Sequence, residues 1–236
     1  MSFNVEVLPP SVWADAVAES WLGLLADDPE MRMSLPTGAT PRPVYREVAS
    51  RGIDLARTEV FLLDEFAGLP PDSPARCDRM LRTDFLELLD RPPAVVRTFD
   101  MASTDLTAMC SRYEAEIGES GLDLTLLGLG GNGHIGLNEP GSEANTRTRV
   151  VELDWATSEA ARAYGTSGPV PTRGATMGVG TLLESSVIWL LVTGTHKADI
   201  LARVVNGPID ASVPASFLRE HPDTIVYADE AAAEKL

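Results

Sequence analysis

The amino-acid sequence predicts an α/β fold, one domain built on a mostly parallel sheet with helices on both faces. Three observations carry this. Short apolar runs rich in β-branched residues alternate along the chain with longer segments whose apolar residues recur at helical spacing. Runs such as Leu124-Thr125-Leu126-Leu127 are apolar at consecutive positions, as strands covered on both faces are. No linker, composition shift or internal repeat divides the chain, so residues 1–236 read as one layered unit with right-handed crossovers.

In chain order, Val5–Leu8 reads as a strand and Ser11–Ala26, amphipathic at helical spacing, as the helix after it. Met31–Leu35 is the second strand, and Thr40 as N-cap with Pro41 in the first helical position starts a helix over Pro41–Arg51. The strand Glu59–Leu63 is followed by helical spacing over Cys77–Leu89 and again over Thr104–Ser120. Leu122–Leu129, Ser186–Thr193 and Thr224–Ala228 supply three further strands, with a helix over Lys197–Val205 between the last two.

Nineteen basic against thirty-five acidic side chains leave a net charge of −16, which opposes binding to a nucleic-acid backbone but not to a small anion in a locally positive pocket. Cys77 and Cys110 form neither a disulfide framework nor a metal-ligand spacing. The N-terminal residues lack a basic stretch followed by a long apolar one, and the longest apolar run, Val187 to Val192, is far short of the roughly 20 residues that cross a bilayer. A soluble cytoplasmic protein without membrane or nucleic-acid partners is expected.

Ligands of such sheets bind beyond the carboxyl ends of the strands, and three clusters fall there. The first is Leu35-Pro36-Thr37-Gly38-Ala39-Thr40-Pro41. A glycine-containing turn entering a helix offers free N–H groups to a phosphate, with the Thr37 and Thr40 hydroxyls beside them; the same residues also suit an ordinary capped turn. In the second, Asp64 and Glu65 end an apolar strand, where a partly buried carboxylate gains basicity, or where both simply leave the core or cap the next segment.

The third cluster, Gly128 to Gly141, contains Gly128, Gly130 and Gly133 at the spacing of a dinucleotide fingerprint. That reading weakens because the fingerprint opens a helix, whereas His134-Ile135-Gly136 and Glu139-Pro140-Gly141 continue as loop. The glycines instead let the backbone approach a ligand and set His134 at the strand mouth. Asn132 and Glu139 can hold one ring nitrogen while the other works as a general base. His196 and His221 read as solvated residues, and neither a second His or Cys at ligand spacing nor an HExxH supports a metal.

The string Gly131-Asn132-Gly133-His134-Ile135-Gly136-Leu137-Asn138-Glu139-Pro140-Gly141 resembles the signature of glucosamine-6-phosphate deaminases, a superfamily shared with 6-phosphogluconolactonases. The resemblance covers nearly the whole chain, through the 35–41 turn, Leu63-Asp64-Glu65-Phe66, Thr146 to Val150, Met177 to Leu183, Lys197 and Pro214 to Leu218. Lactonases continue after the His with Thr and a Ser-Leu-Phe-Pro-like run, and Ile135 to Pro140 follow the deaminase pattern. The resemblance implies a Rossmann-like fold of this type and a cofactor-free, metal-free conversion of an amino-sugar 6-phosphate and water to a ketose 6-phosphate and ammonium. It makes His134 the acid/base of ring opening, oriented by Asn132 and Glu139, and Asp64 the carrier of the C2 proton to C1. Thr37, Gly38, Ala39, Thr40 and Lys197 would hold the phosphate, and Arg162, one position from the family's arginine, is a third candidate anchor.

The chain also departs from the family. Asn132 replaces an Asp common among relatives and can orient but not relay a proton; Ala39 replaces a usual Gly, which requires that φ there not be positive. Ser73-Pro74-Ala75-Arg76-Cys77 stands where relatives show His-Pro-x-Ser-Tyr, altering a pocket wall or a subunit contact. The long C-terminal extension of the hexameric branch is missing, and Val151 and Glu152 stand where that branch places Lys and Thr. A monomer or small homo-oligomer without activation by N-acetylglucosamine 6-phosphate is expected. A lactone hydrolase and a catalytically silent sugar-phosphate sensor are the competing functions.

Overall fold

Apolar runs that must be covered on both faces pair with one another, and in the computed structural model, which describes residues 2–118, 120–165 and 169–236, they do so edge to edge. The strands are β1 (Ser2–Leu8), β2 (Arg32–Leu35), β3 (Glu59–Leu62), β4 (Asp64–Phe66), β5 (Val95–Arg97), β6 (Leu124–Gly128), β7 (Arg149–Glu152), β8 (Arg173–Thr176), β9 (Val187–Val192) and β10 (Asp223–Asp229). Seven of them form one sheet in the order β1-β10-β9-β6-β2-β3-β5, and every neighbouring pair is parallel. The helices are α1 (Trp13–Asp27), α2 (Pro41–Ser50), α3 (Cys77–Asp84), α4 (Leu106–Ile117), α5 (Trp155–Ala160), α6 (Val179–Leu183) and α7 (Ala198–Asn206). The α/β architecture read from the sequence is the one observed.

The connections from β2 run outward to β3 and β5, whereas those from β6 run the other way to β9 and β10. The order therefore reverses between β2 and β6, where a parallel sheet opens a crevice at its carboxyl edge. Leu35, Leu62, Gly128 and Val192 end four contiguous strands at that edge, and the three clusters and Lys197 follow directly.

Four short strands escaped the apolar pattern. β4, β7 and β8 form a second, antiparallel sheet in the order β4-β8-β7, pairing Asp64 with Thr176 and Arg149 with Thr176. The close approach of its neighbours depends on Gly174, where a Cβ would lie 2.3 Å from Leu137 Cδ1 and 2.8 Å from the Glu65 carbonyl. β5 is an edge strand of three residues without an apolar run. The short helices α5 and α6 were likewise not anticipated.

The expected helix Cys77–Leu89 ends at Asp84, because Phe85 leaves helical geometry at φ −140° and a 3₁₀ turn follows over Leu86–Leu88. Phe85 is fully buried, stacked on Tyr45 at 4.7 Å between centroids and 5.6 Å from Trp21. Burying such a ring contributes roughly 1.5–3 kcal/mol, more than the roughly 0.5–1.5 kcal/mol of a helical hydrogen bond. Packing decides the break. The helix expected over Thr104–Ser120 runs Leu106–Ile117 with Asp105 as its cap, accepting from the Ala108 amide at 2.9 Å; Glu119 lies outside the described residues. No helix among the described residues is long and apolar enough to cross a membrane.

Candidate active site

The crevice at the reversal point is a cavity of about 630 Å³, and Thr37, Gly38, Ala39, Thr40, Asp64, Asn132, His134 and Lys197 all line it. Glu139 stands behind His134. Of the residues expected to act in catalysis or to hold the phosphate, Arg162 lies elsewhere: it is exposed and pairs with Glu159 at 2.9 Å. A short 3₁₀ turn over Ala161–Tyr164 continues α5 and turns Arg162 outward, while Ala160 and Tyr164 of the same stretch face the cavity.

Gly38 of the first turn has φ +106°, and a Cβ there would come within 3.0 Å of the Tyr164 hydroxyl. Ala39, like every other non-glycine among the described residues, keeps a negative φ, so its replacement of glycine carries no backbone penalty. α2 starts at Pro41 with Thr40 in the cap position, yet the Thr40 hydroxyl makes no capping bond. The amides of Gly38 and Ala39 have no backbone partner among the described residues. Unspent donors at a helix N-terminus suit a phosphate.

Lys197 follows β9 through Gly194, whose φ is +91° and whose amide donates to both Asp229 carboxylate oxygens at 3.0 Å. The ammonium has no ion-pair partner among the described residues, and burial pulls its pKa below the ordinary lysine value. A desolvated, unpaired cation attracts an anionic ligand more strongly than one in water.

After Leu63 the chain leaves the parallel sheet and enters the antiparallel one, which turns Asp64 into the cavity at 9% exposure. Burial pushes its pKa up to about 6, against a hydrogen bond from Cys77 and the His134 imidazole, which both favour the carboxylate. Glu65 turns the other way and is fully buried, accepting from the amides of Phe66 at 2.8 Å, Cys77 at 2.9 Å and Asp78 at 3.0 Å. It thereby caps α3 from a distant strand.

The loop after β6 closes on itself, the Gly130 amide donating to the His134 carbonyl at 2.9 Å and the Gly133 amide to the Gly130 carbonyl at 3.0 Å. The imidazole lies flat against Gly130, where a Cβ would stand 2.4 Å from Nε2 and Cδ2. His134 Nδ1 is 3.4 Å from both Glu139 Oε2 and the Thr157 hydroxyl. The Asn132 amide donates to that same Glu139 oxygen at 2.8 Å, and its carbonyl accepts the His134 amide at 3.1 Å. Burial would raise the Glu139 carboxyl, but the hydrogen bonds of His134, Thr157 and Asn132 outweigh it and hold it at about 2. An ionised Glu139 fixes the proton on Nδ1 and leaves Nε2 for chemistry.

The two halves of the site are tied together through the second sheet: the Thr176 hydroxyl accepts from Leu137 N at 3.1 Å, and the buried Asn138 amide donates to the Ile135 and Met177 carbonyls at 2.9 and 2.8 Å. Thr157, Tyr164, Cys77 and His196 also border the cavity; His196 was read as merely solvated, and of the four only Cys77 carried a signal, as part of the 73–77 stretch expected to alter a pocket wall. His221, read as solvated, is buried at 3% exposure, with Nε2 2.7 Å from the Ser185 carbonyl and Nδ1 accepting the Asp223 amide. Its partners lie on β9's approach and β10, which no local pattern reveals. As the sequence suggested, the glycine loop opens no helix; β7 follows it.

A family model described as glucosamine-6-phosphate isomerases/6-phosphogluconolactonase matches residues 11–227. The chain is 41% identical over 228 residues to a glucosamine-6-phosphate deaminase of Pseudarthrobacter chlorophenolicus, covering 94% of this chain and 86% of that protein. It is 40% identical over 229 residues to one of Streptomyces coelicolor, covering 94% and 88%. Among solved structures it is similar to a monomeric glucosamine-6-phosphate deaminase at TM-score 0.93 and 32% identity, over 99% of this chain and all (100%) of the other. The 6-phosphogluconolactonase of Thermotoga maritima shares the fold at TM-score 0.78 and 22% identity, over 97% of this chain and 100% of its own.

Proposed function

The chain belongs to the family of glucosamine-6-phosphate isomerases and 6-phosphogluconolactonases, and on that premise we propose that it is a deaminase converting glucosamine 6-phosphate and water to fructose 6-phosphate and ammonium. The observation that carries this reading is one cavity holding a buried carboxylate poised near 6 and an imidazole whose second nitrogen faces a carboxylate, beside turn amides without a backbone partner and a lysine without an ion-pair partner among the described residues. The matched deaminases support the substrate.

In this reading the Gly38 and Ala39 amides, the Thr37 and Thr40 hydroxyls and Lys197 bind the 6-phosphate. His134 Nε2 takes the proton of the anomeric hydroxyl and delivers one to the ring oxygen, opening the sugar. Asp64 then takes the proton from C2 while a proton of the substrate's own C2 ammonium passes to the C1 oxygen, so the C1 carbonyl becomes the hydroxyl of an enolamine. The same carboxyl returns the proton to C1, and the C2 imine that results adds water and expels ammonia, which leaves as ammonium. Each positioned proton transfer is worth roughly 10²–10⁴-fold. The similar solved deaminase is monomeric, which supports a monomer here.

Asp64 works as a base only when ionised, so kcat/KM is expected to fall as pH drops through about 6; a pH–rate profile checks this. Lys197→Gln removes one charge-assisted contact, worth roughly 1.5–3 kcal/mol. KM for the phosphorylated sugar is then expected to rise roughly 10- to 100-fold with a smaller change in kcat. Ammonium release from the 6-phosphates of glucosamine, galactosamine and mannosamine tests the function itself. The deaminase reading expects release, fastest from the glucosamine ester; 6-phosphogluconolactone hydrolysis without ammonium would select the lactonase, and ligand-induced stabilisation without turnover a sensor.

A further inference from the structure

We propose that Cys77 is a positioning residue for the proton-carrying carboxylate, its thiol donating a hydrogen bond that holds Asp64 toward the substrate. The inference rests on Asp64 being the base. Cys77 opens α3, is 2% exposed and lines the same cavity as Asp64. Thr37, Asp64 and Cys77 line that one cavity, and the thiol interacts electrostatically with both the Thr37 side chain and the Asp64 carboxylate.

The main chain fixes this placement. Successive residues of a strand point to opposite sides, so while Asp64 faces the cavity, Glu65 reaches the amides of Cys77 and Asp78 and pins the start of α3. Arg76, 3.7 Å from Glu65, steadies the pin. Burial and the charges of Asp64 and Glu65 push the thiol well above its ordinary pKa, so it is a protonated donor and not a nucleophile. The Thr176 hydroxyl, also near Asp64, spends its proton on the Met177 carbonyl.

The other titratable groups that feel Asp64 are His134 from the glycine loop, Tyr45 on α2, Tyr113 on α4 and Tyr164 from the turn after α5; Glu65, its neighbour on β4, faces α3 instead. All three tyrosines are raised by burial and stay neutral in the acid range. Cys77→Ala and Cys77→Val, the second filling the space without a donor, change none of these groups.

The test compares wild type with Cys77→Ala, Cys77→Val and Cys77→Ser in two readouts: the pH dependence of kcat/KM for glucosamine 6-phosphate, and the titration of the Asp64 carboxyl by ¹³C NMR, its signal assigned by loss in Asp64→Asn. Losing a weak donor to a carboxylate is expected to move both the acid limb and the carboxyl titration upward by about half to one pH unit. Cys77→Ser, which keeps a donor, should leave them at or below the wild-type position. Superimposable titrations of wild type, Cys77→Ala and Cys77→Val, or an equal upward shift in Cys77→Ser, would overturn the inference. Should Asp64→Asn retain turnover, the reading of Asp64 as base fails by itself, while the NMR titration still reports on the thiol.

Discussion

Asp64→Asn is expected to lose turnover by at least 10²–10⁴-fold and, in the same protein, to raise the melting temperature at neutral pH. The carboxyl sits at about 6 in the fold against 3.8 for the free side chain, a difference of about two units. At 1.36 kcal/mol per unit this is about 3 kcal/mol at most. The sign follows from linkage: with its folded pKa raised, the group binds its proton more tightly in the native state, so stability falls as pH climbs from about 4 to about 6 and the full penalty is present at 7. Asparagine is neutral throughout and relieves it. Thermal melts of both proteins should differ by several degrees at pH 7 and converge near pH 4; equal melting temperatures at both pH values would contradict a desolvated Asp64. Loss of function with gain of stability marks a group kept strained for its chemistry.

Gly130→Ala carries the second large effect. A Cβ at 130 would lie 2.4–2.5 Å from three atoms of the His134 ring, so the imidazole must leave its seat against the loop. The ring can swing only by breaking its alignment with Glu139 and Thr157. A displacement of about 1 Å is enough to lower kcat about 100-fold, while crowding costs about 1–3 kcal/mol of stability. The phosphate turn and Lys197 are untouched, so fructose 6-phosphate should still raise the melting temperature of the variant. Near-normal kcat in Gly130→Ala would mean that the imidazole position does not matter.

What was legible in the sequence follows from how local each signal is. Asn132, His134 and Glu139 belong to one loop of a few residues, so their proximity could be anticipated; Glu139 faces the ring nitrogen as expected, whereas Asn132 touches only the Glu139 carboxylate and the His134 backbone amide and acts on the ring through Glu139. β2, β3, β6 and β9 of the central sheet were visible because both faces of each are buried, whereas the edge strand β5, with no buried residue, was not. β4 was not, since two of its three residues are carboxylates, and their burial makes sense only once α3's amides and the cavity are beside them. Thr157 and Tyr164 reach the site by tertiary packing alone, and Arg162 leaves it because a local carboxylate, Glu159, takes the guanidinium. Cys77 looked like a departure from the family and lines the same cavity as Asp64.

A sheltered carboxylate that ferries one proton between adjacent carbons leaves an isotopic trace. Glucosamine 6-phosphate deuterated at C2 is turned over in ordinary water and the fructose 6-phosphate is examined at C1. The account predicts that part of the deuterium arrives there, because Asp64 is almost closed to solvent. Fructose 6-phosphate with no deuterium at C1, formed as fast by Asp64→Asn as by wild type, would contradict it.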